Sequence, residues 1–324
     1  MKRVILDTDV GTDVDDALAL ALIAASPELR VEGVTIVHAD TLLRARIARM
    51  LLDLAGREHI PVIPGASMPL EYPLPERFHW VPRLWGHEGV GILPPDELVP
   101  SDDPDTHAET AAQFIIEKAA AYPGELSLIT IGPLTNVARA LQMEPRLADR
   151  ILDLTTMGGM LDTSKTDWPP MLETNLNADP GAAKVVFDSG IPLTVVPIEV
   201  TTRVFLSPEQ REEMRGWNRP LSGTLVALME QMRESFSDFS QAIAVDDLFQ
   251  GRTYMHDPLA IYASMAWHFT TFRRRHVRLE VHDSVLRTIA HPECEPNVRV
   301  CEDVDAPAFV RFWLERVERL VTSS

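Results

Sequence analysis

The segment DTDVGTDVDDALAL, Asp7 to Leu20, crowds five carboxylates, Asp7, Asp9, Asp13, Asp15 and Asp16, onto one turn between an apolar strand and a helix. Like charges so close repel, and each carboxylate buried without a partner has its pKa raised or costs several kcal/mol. A cation in the turn is the simplest resolution. Hard oxygen donors with no His or Cys set beside them suit calcium or magnesium and speak against zinc. Gly11 lets the backbone turn there. An isolated Asp at such a place, Asp15 for example, would ordinarily cap the next helix; so many within ten residues argue for an ion.

The elements that must position these groups follow from periodicity. Apolar, β-branched runs at Val4–Leu6, Val31–Val37, Leu126–Ile131, Ile151–Met157 and Leu193–Pro197 read as strands. Between them, Ala17–Ala25, Leu42–Ala55, Thr110–Ala121, Leu134–Gln142 and Pro180–Phe187 have helical period, the last entered through Asp179 as N-cap. Such alternation predicts an α/β fold: an open, mostly parallel sheet flanked by helices. Ligands of such sheets bind outside the carboxyl ends of the strands, where the acidic turn falls.

Ser207–Gln250 is mostly helical and strand-poor, which predicts a helical C-terminal cap region over the sheet and beside the site. Val277–Val281 and Asn297–Cys301 read as short strands before a closing amphipathic helix at Ala308–Val321. Glu71–Pro104 is rich in proline and carries the run WGHEGVG, a loop that is either a lid over the site or a surface excursion. With no repeat and no clear linker, residues 1–324 read as one domain.

The formal charge of -18 argues against a nucleic-acid polymer as partner and for a small ligand or a cation. Cys294 and Cys301 match neither a zinc nor a redox spacing and read as free thiols. The start MKRVILDTD lacks the pattern of a secretory signal, and no apolar run approaches the ~20 residues of a membrane span. The expected setting is the cytoplasm, away from membranes.

The acidic segment resembles the N-terminal signature of the inosine-uridine preferring nucleoside hydrolase family, an Asp-x-Asp-Pro-Gly-x-Asp-Asp-Ala motif after the first strand. Here Val10 replaces the proline and two extra residues precede the pair Asp15-Asp16, leaving Asp13 as an additional carboxylate. ITIGPLTNVARAL, from Ile129, is similar to the family segment in which a strand-end carbonyl, here that of Ile131, reaches a calcium ion. Read alone, Thr135 or Asn136 could be helix caps. Met157-Gly158-Gly159 with Leu172-Glu173-Thr174-Asn175 resembles the segment that grips the ribose hydroxyls, and a carboxylate with an amide suits a vicinal diol. The bland alternative is that these loop groups cap the helix at Pro180. YMHDPLA, Tyr254–Ala260, is similar to the family's His-Asp pair, although an Asp before Pro is ordinarily an N-cap. Asp167 stands where relatives commonly have a sugar-contacting asparagine, and Trp85 where many have a lid histidine. Trp85 and Trp168 either stack on a base or pack.

The resemblance implies a Rossmann-like nucleoside hydrolase fold and calcium-dependent hydrolysis of the N-glycosidic bond of ribonucleosides. Asp9, Asp16, Asp257 and the Ile131 carbonyl would hold Ca2+, with Asp9 as the base that activates water. Asp15, Glu173, Asn175 and Asp167 would bind the sugar and Trp85 the base. His256, with a reference pKa near neutrality, would be the acid for the leaving base. The resemblance also implies a homo-oligomer, a dimer or tetramer. Two alternatives stay open: a haloacid-dehalogenase-type phosphatase, suggested by Asp7-Thr8-Asp9, and a catalytically weak relative that binds a nucleoside or ribose.

Overall fold

The computed structural model describes residues 1–71, 86–99, 106–242, 251–265 and 268–322. The chain opens on strand–helix units: β1 (Lys2–Thr8), α1 (Asp15–Ala24), β2 (Leu29–Ile36), α2 (Thr41–Leu54), β3 (Val62–Pro64), α3 (Thr110–Ala121), β4 (Leu126–Thr130), α4 (Thr135–Met143) and β5 (Ile151–Met157). Two short helical pieces, α5 (Asn175–Ala178) and α6 (Pro180–Phe187), lead to β6 (Leu193–Val196) and α7 (Ile198–Thr201). The helical cap follows as β7 (Phe205–Leu206), α8 (Pro208–Gly216), α9 (Pro220–Ala242) and β8 (Thr253–Tyr254). The chain ends with α10 (His256–Met265), β9 (Thr270–Arg275), β10 (Val277–His282), β11 (Val285–Ala290), β12 (Val298–Val304) and α11 (Ala306–Thr322).

Eight strands form the main sheet in the order β3-β2-β1-β4-β5-β6-β12-β9. Neighbours run parallel except β9, which pairs antiparallel with β12 at one edge. The mostly parallel sheet flanked by helices is the architecture that the alternating pattern predicts. Period-2 alternation divides the core between the two faces: Val4 and Leu6 join the apolar layer with α1, α2, α10 and α11, while Ile5 joins the layer with α3, α4 and α6. Trp313 of α11 is fully buried in the first layer and donates its indole N–H to Leu18 O at 3.1 Å, docking the last helix on the first.

Three features depart from the sequence reading. β9 is an unforeseen edge strand, whose Arg273 and Arg275 pair with Glu302 of β12; a charged edge of this kind resists pairing with another chain. Val277–Val281 belongs to β10, which makes a separate hairpin with β11 outside the main sheet, whereas Asn297–Cys301 falls largely in β12 inside it. In the cap, β7 and β8 pair antiparallel as a separate two-stranded sheet, so the segment that carries α8 and α9 starts and ends side by side at Phe205 and Tyr254. α8 starts with a capping box in which Ser207 and Gln210 satisfy each other's backbone N–H groups. Both cysteines are free thiols. Among the described residues no helix is long and apolar enough to cross a membrane.

Candidate functional site

The chain leaves β1 toward β2 and β3, then returns to β4 on the other side of β1. Such a reversal opens a crevice at the carboxyl ends of the strands. The acidic turn after β1 and the Ile131–Leu134 turn after β4 both lie at this reversal.

Asp15 opens α1, whose N-cap is Val14 with no side-chain bond, so Asp15 is not a cap. Instead, one carboxylate oxygen from each of Asp15, Asp16 and Asp257 lies within 4.8 Å of the others, and all three residues are buried. Asp257 reaches them because α10 packs against α1; its backbone N–H donates to Asp15 Oδ2 at 3.4 Å. The Thr8 hydroxyl donates to Asp16 Oδ1 and orients it. Asp9 stands just outside this trio but repels Asp15, Asp16 and Asp257. Its carboxylate lies against Gly132, where a Cβ would sit 2.5 Å from Oδ1; only glycine admits it. The Ile131 carbonyl faces Asn175, which donates Nδ2 to it at 3.0 Å and to Met157 O at 3.3 Å.

This group carries more negative charge than its protein neighbours neutralise. Burial, joined by mutual repulsion, pushes Asp13, Asp16 and Asp257 well above the ordinary carboxylate range. Burial raises Asp15 to about 7 and lifts Asp9 too, although the nearby Arg44 guanidinium opposes the shift at Asp9. Asp13 Oδ1 is buried with no hydrogen-bond partner among the described residues. Clustered oxygen donors, uncompensated charge and an orphaned oxygen fit a hard cation, and the trio is a group that can hold a metal ion.

Asp7 plays a different part. It is 2% exposed, accepts from Thr35 Oγ1 at 2.5 Å and Asn136 Nδ2 at 2.8 Å, and burial raises it to about 7. Both bonds fall on Oδ1, while Oδ2 is buried without a partner among the described residues, and a carboxylate enclosed in this way does not suit a phosphoryl acceptor. Asn136, read from sequence as a possible cap, ties three segments together: it also donates to Ile36 O and accepts from Ala66 N. Thr135 is no cap either and donates to Asp179 Oδ2 at 2.7 Å.

Beside the acidic group, the loop after β5 is built from neutral contacts. Gly158 and Gly159 take φ of 152° and 81°, and a Cβ on Gly159 would meet Thr288 of β11 at 2.8 Å. Glu173 is buried, and burial raises its pKa. Its Oε1 accepts from Leu176 N at 3.1 Å and Oε2 from Asn177 Nδ2 at 3.0 Å. Asn177 is held in turn by Leu286 of β11, whose N–H donates to Asn177 Oδ1 at 2.7 Å. The helix at Pro180 is capped by Asp179, which accepts from Ala182 N at 2.9 Å, so Glu173 and Asn175 are free of that duty. The Asn177 and β11 brace was not legible in sequence, since its partners are 109 residues apart.

His256 lies at the start of α10 in an aromatic wall, stacked with Tyr254 at 5.5 Å and edge-on to Trp168 at 5.2 Å. Burial lowers its pKa to about 4, so the imidazole is neutral at pH 7. Nδ1 lies 2.7 Å from Thr201 Oγ1, a hydrogen bond in which either atom can donate, and Thr201 Oγ1 also lies 3.3 Å from Ile198 O. The near-neutral reference pKa does not apply to this buried ring. Trp168 packs on Tyr254 and His256, at the edge of the site. Asp167 beside it is exposed. Trp85 lies outside the described residues.

The sequence profile described as inosine-uridine preferring nucleoside hydrolase matches residues 4–311. Uridine nucleosidase 1 of Arabidopsis thaliana is 32% identical over 283 residues, covering 86% of this chain and 78% of that protein. The pyrimidine-specific ribonucleoside hydrolase RihA of Citrobacter koseri is 31% identical, covering 97% of each. Among solved structures, a purine-preferring ribonucleoside hydrolase from Gardnerella vaginalis superposes with a TM-score of 0.79 at 26% identity, covering 100% of both chains. The fold and site thus define a nucleoside hydrolase, an enzyme that cleaves the N-glycosyl bond of ribonucleosides. The chain belongs to the inosine-uridine preferring nucleoside hydrolase family.

Proposed function

We propose that this chain, as one domain in the cytoplasm and within a homo-oligomer, hydrolyses ribonucleosides with calcium held by Asp9, Asp16, Asp257 and the Ile131 carbonyl, assisted by Asp15. The observation that carries the reading is the convergence of Asp15, Asp16 and Asp257 within 4.8 Å at the carboxyl ends of the strands. Calcium fits the donors because it accepts six to eight oxygens in loose geometry. When bound it would supply Lewis acidity toward water and a point of attachment for a sugar diol.

The chain's own residues supply the rest. Asp9 takes the proton of the attacking water, a task that its approach to Gly132 at the crevice allows. Glu173 and Asn175 hold the ribose hydroxyls, and Asp15 contributes from the helix start. Fixing sugar and water together makes the attack effectively intramolecular. No second carboxylate is needed as nucleophile, so the displacement is a single step with inversion. His256 and Trp168 form a wall for the base, with His256 a neutral hydrogen-bonding group.

The names of the curated relatives make uridine the first substrate to test. The experiment is ribose release from a panel of purine and pyrimidine ribonucleosides, with and without a calcium chelator. Uridine turnover that stops on chelation and returns with calcium is expected. Absence of ribose from every member of the panel would sink the reading.

A further inference from the structure

Arg44 of α2 is completely buried, yet its guanidinium is spread over the two segments that frame the acidic group. Nη1 donates to the Asp9 carbonyl and, at 3.1 Å, to the Val10 carbonyl. Nη2 donates to the Thr12 hydroxyl at 2.9 Å, and Nε to the His38 carbonyl at 2.9 Å. These four acceptors are neutral, so the contacts fix the course of the backbone. The His38 carbonyl is presented by an unusual conformation: His38 and Ala39 have φ of 72° and 56°. Such backbone persists only where its surroundings enforce it.

Thr12 is the second hub. Its hydroxyl donates to Glu88 Oε1 at 3.0 Å, and its carbonyl accepts from His87 Nε2 at 2.8 Å. Glu88, itself buried, uses Oε2 to accept from Gly86 N at 2.8 Å. Gly11 has φ of 127°, and a Cβ there would lie 2.8 Å from Ile47 of α2. The turn is laid directly on that helix.

We infer that Arg44, helped by Thr12, is the positioning residue of the cation site: it fixes the backbone that carries Asp9 relative to Asp15, Asp16 and Asp257. Thr12 thereby ties the turn to α2 and to residues 86–88. The inference rests on the proposed cation site. Lysine cannot replace the guanidinium, because one ammonium does not reproduce a rigid fork with donors on three nitrogens.

The test is calorimetric titration of chelator-treated protein with calcium alone, for the wild type, Arg44→Lys, Arg44→Met and Thr12→Val. Both Arg44 variants should bind at least about tenfold more weakly and Thr12→Val about threefold more weakly, at unchanged stoichiometry. At saturating calcium, Arg44→Lys should lose about tenfold in kcat with little change in KM for uridine, because Glu173 and Asn175 are untouched. Lower stoichiometry at unchanged Kd would mark simple destabilisation and overturn the inference. Wild-type affinity in Arg44→Lys would do the same, by showing that charge alone suffices. If neither Arg44 variant folds, Thr12→Val decides, and an unchanged Kd there counts against it. A wild type that takes up no calcium brings down the cation reading and the inference together; a wild type that binds while Arg44→Lys binds equally well defeats the inference alone.

Discussion

The two halves of the crevice are built on opposite principles. The turn after β1 gathers carboxylates that burial and repulsion hold far above their ordinary pKa. The loop after β5 is satisfied by its own neighbours: both oxygens of Glu173 accept hydrogen bonds, and Asn177 is bonded at its amide nitrogen and its carbonyl oxygen. One half has charge to share with a cation, and the other has geometry to share with a sugar. Unsatisfied charge is expensive inside a protein and marks chemistry, whereas satisfied polar contacts mark rigidity.

The largest test of this contrast is Asp9→Asn, which keeps the shape of the acidic half but removes its base. It should lower kcat by about 10³-fold, read by ribose release, with a modest change in KM. The corresponding break in the neutral half is Asn177→Leu. It removes the side-chain bonds to Glu173 Oε2 and Leu286 N, at about 1–3 kcal/mol each, so KM for uridine should rise and the protein should unfold at lower denaturant. A fall in kcat with unchanged KM would contradict the assignment of this loop to the sugar. His256→Phe should cost about tenfold or less in kcat, because burial keeps the imidazole uncharged at pH 7. A loss of 10³-fold would restore the acid role.

A pH series sharpens the comparison without mutation. Asp15 has its pKa raised to about 7, and Asp13, Asp16 and Asp257 are raised well above the ordinary range, so the folded protein holds more protons than the unfolded chain from the ordinary carboxylate range up through about 7. For groups with raised folded pKa, the stability gained by protonation is present at low pH and lost as pH rises through that window. Chelator-treated protein should therefore have a lower Tm at pH 8 than at pH 5.5, and calcium should raise Tm more at pH 8. A Tm independent of pH would remove the claim that the acidic half carries uncompensated charge. The smallest expected effect is Asp167→Ala, a change of less than about twofold in KM, since surface substitutions away from special features act weakly.

Much of this was legible in the sequence where the signal is local. The apolar run of β1 and the aspartates after it are contiguous, so strand, turn and acid cluster could be read from one stretch. Ile131 and Asn175 were placed by resemblance, and the structure brings them into contact. What escaped depends on distant pairing. Thr270–Arg275 has no apolar face of period two, because it is an edge strand with charges on it. Asn136, Asn177 and Arg44 look like ordinary helix residues, and only folding shows that each bonds to a segment remote in the chain. The reference pKa of His256, which the sequence reading used, ignores the burial that only the fold reveals.

Asp15 and Asp257 are 242 positions apart in the chain. A chain still being synthesised contains the whole β1 turn long before it contains α10. The trio is therefore complete only when nearly the entire polypeptide exists and α10 has docked on α1, a contact of high sequence separation that forms slowly. Ion uptake would then report completed folding, and fragments ending before residue 257 should gain no stability from calcium, even with every residue of the first motif intact.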